Sequence, residues 1–302
     1  MKVPFNHGLL IVFILTSSGC ALTEKQREAT NNFALASVEI GDFSSAEFNH
    51  FRTATIDMNV TNVAIRGEAK LLDDKDQPNL DEKLKPEAVI LRVKSAHALS
   101  SYGQLLLSLV NETQETELKQ ASSNFVSSFK SVSHKNLTDG QLEVFGELVQ
   151  KIGSIWVEAK KANAIKKIVP AATSDVDKLS DLLIADFSPA GLNIAQGFDA
   201  TISNLVKDAN LALKDKTIPF SDRLIAIKGL ETAWAERDHL NNISNQAIIT
   251  LKKFKAANAQ LNKAILDDCL STDDIKALGQ EVNSLRTAVL ALSSAKYSQQ
   301  TY

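Results

Sequence analysis

The stretch LNNISNQAIITLKKFKAANAQLNKA, Leu240 to Ala264, decides the fold. It sets Leu240, Ile243, Ala247, Thr250, Phe254, Ala257, Leu261 and Ala264 at alternating steps of three and four. That spacing keeps one apolar stripe turned toward a partner helix. A short turn follows, and Ile275, Leu278, Val282, Leu285, Val289 and Leu292 repeat the pattern. So short a connection forces the two helices antiparallel. Residues 221–297 therefore read as a long antiparallel, coiled-coil-like helical hairpin. Its first arm, capped by Ser221, runs about 45 residues, or roughly 68 Å at the rise of an α-helix.

Upstream of the hairpin the same helical period recurs, broken by capping and turn signals. Thr23-x-x-Gln26 has the form of a capping box and predicts a helix to about Ile40, with Gly41-Asp42 as its break. A second helix is expected over about 43–72, carrying Glu47, Phe51, Ala54, Met58, Thr61 and Ile65 on one stripe. Residues 73–85 are the clearest loop, and Pro86 fits the first turn of a helix reaching about Val110. Further helices are expected over 115–134 and, behind a second capping box at Thr138 and Gln141, over the stripe Leu142, Phe145, Val149, Ile152 and Trp156. Lys160, Lys161, Lys166 and Lys167 ahead of Pro170 read as a helix C-terminus favoured by the dipole, with a sub-division of the chain near 170. A short helix over about 175–186 comes next. Ser188-Pro189 then reads as the cap and first turn of a helix ending near Lys214.

Composition agrees with an all-α, elongated multi-helix bundle. The 302 residues are 44% hydrophobic and 23% charged, values of a folded chain. Glycine (12), proline (6) and aromatic residues (6%) are too sparse for a β-rich fold with many turns. A net charge of −3 lacks the basic excess that nucleic acid requires, so no nucleic-acid partner is expected.

The N-terminus reads as a targeting segment. Lys2 precedes the apolar run Leu9-Leu10-Ile11-Val12-Phe13-Ile14-Leu15, which ends in Thr16-Ser17-Ser18-Gly19-Cys20. The run spans only about 10 Å as a helix, far short of a bilayer core. Small residues directly before a cysteine resemble the lipobox of bacterial lipoproteins, with Ser17 where that family prefers Leu. The resemblance implies that residues 1–19 are a signal peptide, that Cys20 carries lipid (palmitate among its acyl chains), and that 20–302 is the mature bundle. It places the chain in the bacterial cell envelope, attached to a membrane through its N-terminal lipid. Ala21 after the cysteine resembles the pattern sent to the outer membrane, facing the periplasm, in Gram-negative cells. With Cys20 lipidated, Cys269 has no partner and no disulfide framework can form.

Two motifs carry possible chemistry. Glu47-Phe48-Asn49-His50 and Glu236-Arg237-Asp238-His239 each set a carboxylate and an imidazole one helical turn apart. Two such pairs plus two further glutamates make the di-metal site of ferritin-like bundles, and Glu28, Glu143 and Glu158 are the candidates for the remainder. The metal reading rises above the scaffold reading if packing brings His50 and His239 within about 8 Å, and fails if they lie on opposite faces or at different heights. Cys269, among Asp267, Asp268, Asp273 and Asp274, sits in an acidic turn that raises a thiol pKa rather than activating it. There is no serine elbow, phosphate loop or clustered ligand motif, so neither an enzyme nor a cofactor is expected. The expected role is a non-enzymatic scaffold or protein-interaction module. A metal-binding bundle is the alternative, and a membrane-active bundle using Leu105–Val110, or a small-ligand bundle, is the next.

Overall fold

A computed structural model describes residues 22–66, 79–81, 84–111, 115–132, 158–190, 193–266 and 272–297. These form seven helices: α1 (Glu24–Arg66), α2 (Pro86–Val110), α3 (Glu115–Val132), α4 (Glu158–Phe187), α5 (Ile194–Lys214), α6 (Phe220–Leu266) and α7 (Thr272–Tyr297). Among the described residues there is no strand, and the all-α multi-helix class is the class observed. The signal segment with Cys20, the helix expected from Thr138 to Trp156, Asp267, Asp268, Cys269 and the tail from Ser298 lie outside the described residues.

Local signals set several ends. Thr23 and Gln26 form the reciprocal box: the Gln26 N–H donates to Thr23 Oγ1 (3.2 Å) and the Thr23 N–H to Gln26 Oε1 (2.9 Å). Pro86 opens α2, and α5 ends at Lys214 as its pattern predicts. At the other end of α5 the expected cap is displaced. Ser188 and Pro189 lie in the turn before it, and Asn193 precedes the first helical residue, its amide donating to the Ala185 carbonyl (2.6 Å).

Three expectations are corrected by packing. Gly41-Asp42 does not break the first helix, and α1 runs unbroken for 43 residues. Gly41 is there because α2 passes too close for a side chain. A Cβ at Gly41 would lie 2.6 Å from the Ala96 carbonyl oxygen and from the Ser100 nitrogen. The contact is reciprocal, since a Cβ at Gly103 would lie 2.4 Å from the Ala34 carbonyl oxygen. Ser37 closes the crossing by donating to the Leu99 carbonyl (2.7 Å). Second, Pro170 lies inside α4, so Lys166 and Lys167 are mid-helix and the dipole does not account for them. Proline there removes one backbone hydrogen bond, but Ile165, Ile168, Val169, Ala172 and Val176 are all buried around it and hold the helix together. Third, the helix continues through 170, so the separate short helix expected over about 175–186 is the second half of α4.

The seam read from Leu240 to Ala264 is buried throughout, as are Leu278, Val282, Leu285 and Val289 on α7. Thr250 Oγ1 reaches the Ala288 carbonyl at 3.4 Å, which sets the two helices antiparallel around the short connection. Helix α1 is the axis of the bundle, packing on α2, α5, α6 and α7, while α3 lies on α2 and α4 bridges α6 and α2. It runs antiparallel to α6 from end to end. Gln26 Nε2 donates to the Ala264 carbonyl (3.0 Å) at one end, and Gly229 meets Thr61 and Ile65 at the other. Leu105, Leu106, Leu109 and Val110 are core residues of α2, and among the described residues no helix is long and apolar enough to cross a membrane.

Tyr102 lies wholly buried, edge-on to Phe33 and beside Phe125, and among the described residues its hydroxyl has no partner. Burial, reinforced by the charge of Asp177, pushes its phenol well above the usual tyrosine range.

Three substitutions test this packing. Gly41→Ala and Gly103→Ala should each cost roughly 2 kcal/mol or more by forcing two backbones apart, whereas Gly279→Ala on α7, with nothing within 4 Å, should gain about 0.5–1 kcal/mol. Equal effects in urea melts would refute the close crossing. Because the folded Tyr102 keeps its proton while the unfolded chain releases it, stability should fall as pH rises above about 10. Tyr102→Phe should remove that component with little loss at neutral pH, since no hydrogen bond is broken.

Candidate functional site

The antiparallel course of α1 and α6 brings the two Glu-x-x-His motifs together. They pair crosswise: His239 Nε2 lies 2.8 Å from Glu47 Oε2, and His50 Nε2 lies 2.9 Å from Glu236 Oε2. With the carboxylates accepting, each imidazole presents its proton on Nε2. The two rings stand edge to face with centroids 4.8 Å apart. The proximity that the metal reading required is therefore met.

The two pairs differ in setting. Glu47 is 3% exposed and its partner His239 is largely covered, whereas the His50 side chain is 40% exposed at the edge of the bundle. Phe51 stacks on Phe198 of α5 (4.8 Å) and both His rings lie beside Phe51, so the inner wall is aromatic. A buried carboxylate is tolerable only when a donor meets it, and His239 is that donor.

Four potential ligands meet, but as two satisfied pairs. Among the described residues, no three His, Cys, Asp or Glu side chains converge so as to hold a metal ion. A cation would have to displace both Nε2 protons and open both pairs. Of the further candidates, Glu28 is exposed and more than five turns along α1, about 28 Å away, and Glu158 is the first residue of α4. Glu143 lies outside the described residues. The same holds for Cys20 and Cys269, while Asp273 and His97 are exposed surface residues.

A second feature was not read from the sequence. The first four turns of α6 are apolar on two sides. Ala226, Gly229, Leu230 and Ala233 face the bundle. On the opposite side Phe220 (80%), Leu224, Ile227 and Trp234 (58%) are exposed. At 100° per residue these four fall within about 40° of one line and extend over about 21 Å. Their spacing of four, three and seven is the heptad signal, lying just before the seam that begins at Leu240. The stripe is at the far end of α6 from Thr23, since Gln26 is tied to Ala264. The turn into α6 is braced by Asp215, whose Oδ1 accepts from the Thr217 N–H (2.8 Å) and hydroxyl (2.6 Å). Those bonds hold its carboxyl below the ordinary range.

An open depression of about 450 Å³ beside Ala259, Asn262, Lys263 and Leu266 has one wall only, on α6, and does not enclose a small molecule. The described residues thus form a helical bundle with a crossed Glu–His clamp and a bare apolar face on α6. The chain matches no protein-family model, no curated protein and no solved structure.

The asymmetry of the clamp is measurable. His239→Ala strands the Glu47 carboxylate in the core and should cost about 3 kcal/mol, while His50→Ala, at the wet edge, should cost under about 1 kcal/mol. Similar losses in chemical denaturation would mean that the two pairs are equivalent.

Proposed function

We propose that the chain is a lipid-anchored protein of the bacterial envelope, tethered through Cys20, that serves as a non-enzymatic helical scaffold and docks a protein through the outer face of α6. The observation that carries this reading is the bare stripe of Phe220, Leu224, Ile227 and Trp234 on a helix whose opposite side is already packed. Soluble chains seldom leave aromatic and branched side chains contiguous in water, and such patches commonly mark interaction sites. The architecture fits the tether. Thr23, three residues after the lipobox cysteine, sits beside the end of α6 remote from the stripe, so a lipid at Cys20 attaches well away from it and leaves it uncovered. In a Gram-negative cell the anchor belongs in the outer membrane with the bundle in the periplasm.

Site-specific photocrosslinking from Trp234 in intact envelopes should yield a discrete protein adduct, and from exposed Lys252 should not. The absence of any adduct from the stripe would overturn the docking role. The tether is tested separately by the intact mass of the mature protein. The lipidated species should begin at Cys20, and Cys20→Ala should leave the membrane fraction; an unmodified Cys20 would refute it.

A second reading, a metal-binding bundle, is favoured by one observation, the 4.8 Å approach of His50 and His239. That proximity alone would set it above the scaffold reading, but each imidazole is paired with a carboxylate and, among the described residues, no third ligand converges, so the clamp reading stands ahead of it. Zinc, iron and manganese should be well below one per chain in the purified protein, and added Co²⁺ should give no d–d spectrum. Stoichiometric metal lost on Glu47→Ala would reverse that order.

A further inference from the structure

We infer that the occupant of the α6 stripe is the same stripe of a second copy, the two helices pairing antiparallel about a two-fold axis through Ile227. This rests on the docking role proposed above and names its partner. About Ile227, Phe220 and Trp234 stand seven residues to either side and Arg223 and Glu231 four to either side, while Leu224 mirrors Leu230 at the covered edge of the helix. Aromatic residues stand at the two ends, an aliphatic residue at the centre, and opposite charges at equal distances from it. An isologous contact sets residue i against j and j against i. Antiparallel pairing about Ile227 therefore places each Phe220 against the partner copy's Trp234, and each Arg223 against its Glu231, twice over.

Glu231 is what selects this occupant. It lies within the apolar stripe, exposed, and among the described residues it has no ion-pair or hydrogen-bond partner. A lipid surface would have to bury that carboxylate in hydrocarbon, which is expensive. A parallel pair would set Glu231 against Glu231. Only the antiparallel register supplies a cation, Arg223, which is half-buried with one Nη donating to the Lys216 carbonyl (2.9 Å). The area is modest. Four such side chains expose roughly 400 Å² per copy, so the paired stripes with their polar rims reach the low end of specific interfaces. The dimer is therefore weak and exchangeable.

The test uses the full-length protein in a Cys269→Ser background. Ile227→Cys should form a disulfide dimer under mild oxidation, and Thr232→Cys, exposed on another side of α6, should not. Glu231→Arg, which breaks no contact within the chain, should weaken association by roughly tenfold in sedimentation equilibrium, as should Arg223→Glu, and the double exchange should restore it. Rescue by the exchange identifies the partner as a second copy, because a different protein would not carry the compensating change. A monomer at all concentrations, or failure of the exchange to rescue, overturns the inference. If the Trp234 crosslink to another protein persists in that case, the docking role survives and only its partner changes. Association with neutral phosphatidylcholine vesicles lost on Trp234→Ser would assign the stripe to lipid and also overturn it.

Discussion

One buried carboxylate constrains the bundle more than any other group. Glu47 sits on the apolar stripe of α1 between residues that are wholly in the core, and leaving it unpaired there would cost several kcal/mol. Helix α6 must therefore deliver a donor at that height. A slip of one turn would offer Ala235 or Ile243 in place of His239, and neither can donate a side-chain hydrogen bond. The register of the two longest helices is fixed by this single requirement. The His50–Glu236 pair repeats it one turn away at a wetter site, and the end contacts at Gln26 and Gly229 fall in line with it.

The other face of α1 is held by a different physics. Its pairing with α2 rests on side chains that are small or missing, with Ala34, Ser37, Gly41, Ala96, Ser100 and Gly103 letting the backbones close to contact. Buried serines along this line, such as Ser37 and Ser95, donate to helix carbonyls, so the polar atoms are satisfied without widening the gap. Farther along, large rings fill the space that separates α1 from α4 and α5. Phe48 stacks on Phe187 (4.7 Å) and Phe51 on Phe198 (4.8 Å). Helix α1 thus meets one neighbour through absent side chains and the others through the bulkiest ones.

What the sequence made legible was local or periodic. The Thr23–Gln26 box involves residues three apart and formed as read. The 240–264 stripe is a period, and periods survive whatever the helix packs against. Gly41 and Pro170 were misread because their meaning is not local. A glycine in mid-helix breaks nothing when a neighbouring backbone needs its space, and a proline is tolerated when apolar residues on both sides of it are buried. The Glu-x-x-His motifs were visible as motifs, but their crosswise pairing depends on an offset between residues almost two hundred apart in the chain. The α6 stripe was legible in principle. Phe220, Leu224, Ile227 and Trp234 keep heptad spacing, but periodicity reports a face and not whether anything covers it.

The unbroken course of α1 has a mechanical consequence. Gly41 is one of the two glycines at which α1 and α2 close to contact, and it divides α1 into arms of about 26 Å toward Glu24 and about 38 Å toward Arg66. A rod held at an off-centre fulcrum magnifies displacement at its longer end. A small change in crossing angle at Gly41, imposed from the Glu24 side, would swing the Arg66 end through a wider arc. Asp208 on α5 is bound to Arg66, and α5 packs on α6 near the bare stripe. Because α6 also grips α1 at Gln26, Glu47 and Thr61, such a swing carries α6, and with it the bare stripe, along.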